Sequence, residues 1–335
     1  MPAEAVTDRF TIRRFRDGDE AAILDLFRRS FHAPRSLAHF DWKYRRNPFG
    51  REHISVAFDD AGALVGHYAG YAVPFRSSEG DFVCHQIGDT MTDQSVRHIG
   101  RGATSILGRT ALHFYAIFCD QQVAFNYGFN VANIQKFSLR FLRSDRVEPV
   151  SYRRRNLVDD PMPRIGKFRR LSRGYRLEVV TAVDDEWNRF FARVCPDYGL
   201  LVRRDAAYVR WRYLECPDVQ YIIVAIRKWG MLAGWSVFRV QENRVTWGDA
   251  LFDRRCPDAP SVLLRHMLPY FRVQIVDGWF PPRPHWFDAV LQELKFTDAP
   301  EPQDLSLMCV PFVRPDATEE MRRSLYYAAG DSDLF

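Results

Sequence analysis

The sequence predicts a mixed α/β protein built from two similar layered domains. Three observations carry that expectation. Short strands alternate with amphipathic helices, the pattern recurs about 160 to 169 residues further on, and a glycine-rich loop occurs in one copy only.

The elements of the first copy follow in order. FTIRRF (10–15) reads as a short strand, and Asp17-Gly18-Asp19-Glu20 opens a helix with apolar positions Ile23, Leu24, Leu26, Phe27 and Phe31. LAHFDWKYRRNP is a second helical stretch, stopped by Asn47-Pro48. HISVAF (53–58) and ALVGHYAGYAV (63–73) read as strands joined by the turn Asp59-Asp60-Ala61-Gly62, and FVCHQIGDTMT (82–92) as a third. The glycine loop comes next, then a helix from about Thr104 to Phe114, the strand QVAFNYGF (122–129) and the helix NIQKFSLRFL (133–142).

The second half repeats this order. Trp42, Tyr44 and Pro48 match Trp211, Tyr213 and Pro217 at an offset of 169, and Gly62, Leu64 and Gly66 match Gly230, Leu232 and Gly234 at 168. Gly88-Asp89 matches Gly248-Asp249 at 160, as a shorter hairpin would produce. Trp42, Tyr44 and their matches recur in both halves, which favours core packing over a stacking platform for a sugar or base. The expected domains are 8–157 and 175–313, with a basic linker at 158–174 and a tail at 314–335.

Composition excludes several classes. With 335 residues, 47% hydrophobic and 27% charged, the chain can bury sizeable cores. No apolar run reaches the roughly 18 residues of a membrane span, and the N-terminus lacks the apolar segment of a secretory signal. The six cysteines form no CxxC pair, which argues against a zinc site or a disulfide scaffold and predicts a cytoplasmic protein without a metal. Much of the net charge of +5 sits between Arg153 and Arg176, as a solvated linker or as a patch for an anionic partner.

SVRHIGRGATSIL (95–107) is the most specific stretch. A strand entering a glycine-rich turn and then a helix aims backbone amides and a helix N-terminus at one spot, which suits a pyrophosphate. Arg97 and Arg101 add charge. No Gly-Lys-Ser/Thr follows, so this is not a Walker loop. The second copy has DRRCPDAP here, without glycine and with two prolines that remove amide donors. The loop serves one copy alone.

Strand, two helices, three strands, RxxGxGA loop, helix, strand, helix: in this order the chain resembles the GNAT family, the GCN5-related N-acetyltransferases. The motif covers the first copy, and the second matches by architecture only. The resemblance implies tandem acyl-CoA N-acyltransferase folds, the second degenerate, with acetyl-CoA as co-substrate. Its pyrophosphate would be held by Arg97, His98, Ile99, Gly100, Arg101, Gly102 and Ala103. Met91 and Thr92 would pair their backbone with the pantetheine arm, and Asn133 would stand where the family often has a CoA-contacting asparagine. Where the family commonly places a helix tyrosine as acid, this helix carries Phe137 and Phe141, and Ser144-Asp145 replaces the usual Gly-Phe.

Acyl transfer needs a neutral amine, a stabilised oxyanion and a proton for the thiolate. Asp89 is the first choice for a base, although its match Asp249 survives in the copy without the loop, so a structural hydrogen bond is an equal reading. By strand parity His85 and Asp89 share a face with Met91. Tyr127 is the candidate acid, or else an aromatic filling the cleft wall. The leading expectation is acetyl transfer to an amine of a small anionic or sugar-linked acceptor bound between the halves, with no nucleic-acid partner. A non-catalytic acyl-CoA-binding protein and a Fem-like aminoacyl-tRNA-dependent transferase are the alternatives.

Overall fold

The computed structural model describes residues 9–162 and 174–335. In its first part, β1 (Phe10–Arg14) leads into α1 (Glu20–Phe31) and α2 (Leu37–Phe40), which runs on as a π-helical turn over Asp41–Arg45. Strands β2 (Ile54–Asp59), β3 (Leu64–Ser77) and β4 (Gly80–Thr92) follow. Then come α3 (Ile106–Phe114), β5 (Phe125–Asn130), α4 (Ala132–Phe141) and β6 (Asp145–Pro149). The helix expected from Thr104 starts two residues later. Gly102–Thr104 forms a tight turn instead, and Ser105 caps α3 by accepting from the Gly108 amide at 3.1 Å.

The remaining elements are β7 (Tyr152–Asn156), β8 (Tyr175–Val179), α5 (Asp185–Val194), β9 (Leu200–Val202) and α6 (Ala206–Val209), which continues as a second π-helical turn over Arg210–Leu214. Strands β10 (Ile222–Lys228), β11 (Met231–Gln241) and β12 (Arg244–Phe252) precede α7 (Ala259–Phe271), β13 (Ile275–Trp279) and α8 (His285–Glu293). Strands β14 (Thr297–Asp298) and β15 (Ser306–Pro311), helix α9 (Ala317–Ser324) and strand β16 (Leu325–Tyr326) complete the described chain.

The chain divides into two compact units. The first comprises residues up to Val73, Val83–Val147 and Ser306–Thr318; the second comprises Pro74–Phe82, Glu148–Leu305 and the residues from Glu319. The sheet of the first runs β1-β2-β3-β4-β5-β15-β6. One face packs on α1 and α2 through Ile23, Leu26, Phe40, Val56 and Met91; the other packs on α3 through Tyr68, Ala111 and Phe114. The sheet of the second unit runs β14-β7-β13-β12-β11-β10-β8.

Two strands depart from the expected boundaries. β7, which a boundary at 157 assigns to the first domain, pairs antiparallel with β13 of the second sheet, from Tyr152↔Trp279 to Asn156↔Ile275. β15, expected in the second domain, pairs antiparallel with β5 of the first, from Ser306↔Asn130 to Pro311↔Phe125. Each sheet completes itself with a strand from the other half of the sequence.

The basic run also differs from a solvated linker at its start. Arg153 is buried and donates to Asp288 at 2.7 Å, and Arg155 bonds Asp160 at 3.0 Å. Of the proposed linker 158–174, residues 163–173 lie outside the described residues. The expected C-terminal tail is not a loose appendage: Leu325–Ser332 is a buried run.

A fragment of residues 1–157 should therefore lack the central partner of β5 and β6 while carrying β7 without its sheet. We expect it to be insoluble or to bind hydrophobic dye without a cooperative melt. A sharp thermal transition in the isolated fragment would contradict the exchange.

Candidate functional site

The glycine loop and the ends of α3 and α4 enclose a cavity of about 730 Å³ in the first unit. The lining includes Thr90 and Thr92 from β4, Arg97, Gly100, Arg101, Gly102 and Ser105 from the loop, and Ile106 and Leu107 from α3. From α4 come Asn133, Ile134, Phe137 and Phe141. No acidic side chain is among them, so two guanidiniums and the positive end of α3 act on the space unopposed from its walls.

Glycine is required at both loop positions. Gly100 has φ +69 and Gly102 φ +56, where side chains are strained. A Cβ on Gly100 would fall 2.3 Å from the Thr104 carbonyl oxygen, and one on Gly102 would fall 2.4 Å from the Phe141 ring. The loop is folded on itself: the Thr104 amide donates to the Arg101 carbonyl at 3.1 Å, and Arg97 Nε donates to the Thr92 carbonyl at 3.0 Å.

β4 carries the second feature. Among the described residues its parallel pairing with β5 covers only His85↔Asn126 and Gln86↔Tyr127. Beyond that point the edge of β4 facing β5 has no strand partner among the described residues. Here Asp89 adopts φ +50, a left-handed residue inside a strand.

This kink corrects the parity argument. His85 packs against Phe114 of α3, whereas Asp89 binds groups from the α1/α2 side. The two residues face opposite ways because one residue at the kink shifts the alternation. Thr90 and Thr92 consequently share the cavity face, and Thr90 was overlooked although it alternates with Thr92.

Asp89 is not placed as a base. Arg35 Nη1 donates to its Oδ1 at 2.5 Å, while Lys43 Nζ and the Tyr44 hydroxyl donate to Oδ2 at 2.9 and 2.7 Å. Burial would raise its pKa, but the charges of Lys43 and Arg35 override this and hold it well below the usual carboxylate range. An anion so stabilised is a weak proton acceptor. Its backbone carbonyl accepts from His67 Nδ1 at 2.7 Å, which leaves the buried His67 Nε2 unprotonated and without a hydrogen-bond partner. Burial pushes the His67 pKa down to about 4.

The other expected residues separate by position. Thr92, Arg97, Gly100, Arg101, Gly102 and Asn133 line the cavity; His98, Ile99 and Ala103 belong to the loop without lining it. The Met91 side chain is buried in the core under α1. Tyr127 is 3% exposed between Phe125 and Phe129, and pairs with Gln86 on the sheet face opposite Asn126 and the cavity.

The family description "acetyltransferase (GNAT) domain" matches residues 11–139, a span that contains the loop, the kinked strand and the start of α4. Residues 11–139 belong to the GNAT family. Solved structures agree at the level of the fold. A GCN5-related N-acetyltransferase from Kribbella flavida is 13% identical, with 90% of this chain and 70% of that chain covered at a TM-score of 0.61. Another from Anabaena variabilis is 11% identical, covering 90% and 72% at 0.61. No curated protein matches the sequence. The matched span contains both the loop and the strand β4, and no group of three or more metal-ligating side chains occurs among the described residues.

His67 makes the stability of the GNAT domain pH-dependent. The folded ring stays neutral down to about pH 4, while the unfolded ring protonates near 6.5, so unfolding takes up a proton between those values. Stability contributed by the neutral ring is lost as pH falls through that window, by about 2 kcal/mol at pH 5. Urea unfolding at pH 7 and pH 5 should show wild type losing about that much more than His67→Gln; equal losses would rule the linkage out.

Proposed function

We propose that the protein is an acyl-CoA-dependent N-acyltransferase that moves an acetyl group from acetyl-CoA to an amine of a small-molecule acceptor. The observation that carries this reading is one cavity lined both by the glycine loop with the start of α3 and by Thr90 and Thr92 of β4, beyond the end of its pairing with β5.

In this reading the loop amides and the first turn of α3 receive the pyrophosphate, with Arg97 and Arg101 offsetting its charge. Thr92, the Met91 backbone and Asn133 guide the pantetheine arm along β4. A backbone N–H at the kink donates to the thioester carbonyl, so that negative charge developing there meets a fixed dipole. Asp89 acts as a positioning residue: it holds the kink through Arg35, Lys43 and Tyr44, and the amine is deprotonated by solvent rather than by this carboxylate. Phe137 and Phe141, in place of a helix tyrosine, supply an apolar wall that excludes water around the thioester.

Calorimetry tests the cofactor step. Wild type should bind acetyl-CoA with micromolar affinity, and Gly102→Val should weaken it at least tenfold, because its side chain displaces Phe141 into the cavity. Unchanged affinity in a folded variant would remove the loop from the site. A second expectation concerns Tyr127. Given its place on the other face of the sheet, Tyr127→Phe should keep turnover within about threefold, whereas a loss near a hundredfold would restore it as the acid.

A further inference from the structure

The hairpin that joins β10 to β11 in the second unit carries residues that its position does not call for. Lys228 pairs with Met231, so the turn has two residues, Trp229 at φ +51 and Gly230 at φ +87. Positive φ at both positions is what Asn-Gly or Asp-Gly adopts readily, and a tryptophan there is strained. Burial does not offset the strain: Trp229 keeps 75% of its surface and Met231 66%. A Cβ on Gly230 would meet only open space. The indole is nevertheless fixed in place. The Trp229 amide donates to the Gly174 carbonyl at 3.0 Å, and a Cβ on Gly174 would lie 2.6 Å from the ring.

The first unit shows that the fold does not require these residues. At the offset of 168, Asp60-Ala61-Gly62-Ala63 matches Lys228-Trp229-Gly230-Met231. Residues 60–63 are exposed, as are 229–231, but they are an acid and small residues instead of a base and two large apolar ones. Beside the second tip lies a hollow of about 400 Å³. Buried Leu232 and Ala233 line it together with Met231, Lys228 and the exposed Arg193 and Arg255. Arg193 and Arg255 share one carboxylate, Asp253, at 3.1 and 2.7 Å, and the Lys228 ammonium lies over the Tyr175 ring at 5.2 Å. Three cations and one carboxylate thus surround an apolar base.

We propose that this corner of the second unit docks on an anionic lipid surface. Trp229 and Met231 enter the boundary between headgroups and acyl chains, and Lys228, Arg193 and Arg255 lie beside the lipid phosphates. An indole, apolar in body with one N–H donor, suits that boundary, and a lysine can lay its stem along it while the ammonium stays in water. The excess of cations gives the contact its preference for negative lipid. Lipid fits better than an acidic protein for two reasons. A tip with open space beyond it enters a soft layer without needing a matching pocket. Buried apolar residues beside exposed cations match an amphiphile, with a chain for the one and an anionic head for the other. Two inserted side chains make this a reversible attachment, and it is independent of the acetyl-transfer reading.

The test is co-sedimentation of the full chain with vesicles of phosphatidylcholine, alone or mixed in equal parts with phosphatidylglycerol. Wild type should sediment with the mixed vesicles and not with the neutral ones, and raising NaCl from about 0.1 M to 0.5 M should weaken binding severalfold. Tryptophan emission should shift to the blue with the mixed vesicles, and the shift should be lost in Trp229→Ala. The double variant Trp229→Ala/Met231→Ala and the single variant Lys228→Asp place the first unit's residues on this tip. Each should lower vesicle affinity about tenfold with an unchanged melting temperature. Lys228→Asp decides the matter if the alanine pair lowers stability. Failure of wild type to bind the mixed vesicles overturns the proposal; if wild type then binds polyglutamate and Lys228→Asp does not, the tip belongs to an acidic protein instead. Equal binding to both kinds of vesicle, or binding that survives both variants, overturns it as well.

Discussion

A buried, ionised carboxylate inside a strand is the constraint on which the first unit is organised. Asp89 sits in a left-handed conformation that costs on the order of 1–3 kcal/mol. It persists because three donors from the α1–α2 region and the following π-helical turn converge on its oxygens. Removing any one of them would leave a buried charge short of a partner, which is far worse than the strain it offsets. From this fixed point the rest follows. The kink reverses the alternation of β4, sends Thr90 and Thr92 to the α3 face, and ends the pairing with β5 after Gln86.

The same hub in the second unit shows which part of the architecture is scaffold. Asp249, Tyr213 and Arg204 keep the arrangement although the glycines of the loop are gone and Pro257 and Ala259 stand in their place. A carboxylate hub occurs in both units, and the glycine-rich loop in the first alone. This explains why Asp89 reads as a catalytic candidate: it is polar, buried and close to the loop, yet its oxygens are occupied, as are those of Asp249.

Much of this was legible in the residues. The order of elements and the glycine turn rest on local signals, and local signals are what period, glycine and proline encode. The kink was not legible, because an Asp in αL conformation inside a strand leaves no mark on the alternation of FVCHQIGDTMT; parity was carried through it and put His85 on the wrong face. The role of Arg153 was hidden for another reason. A run of arginines reads as solvated unless the distant carboxylates Asp288 and Asp298 are known to meet it. Strand partners far apart in sequence have no local signature at all, and β7 and β15 could have been assigned either way.

That exchange has a consequence for how the protein is made. β5 ends at Asn130, but the strand that covers its edge begins at Ser306. At ordinary elongation rates the ribosome takes on the order of ten to forty seconds to synthesise the intervening chain. Throughout that interval the nascent first sheet exposes an open edge, while β7 waits for β13. The two sheets cannot mature one after the other from the N-terminus. Their completion is deferred until Pro311 has been synthesised, and the nascent chain must be kept from pairing that edge with a neighbour on the same polysome.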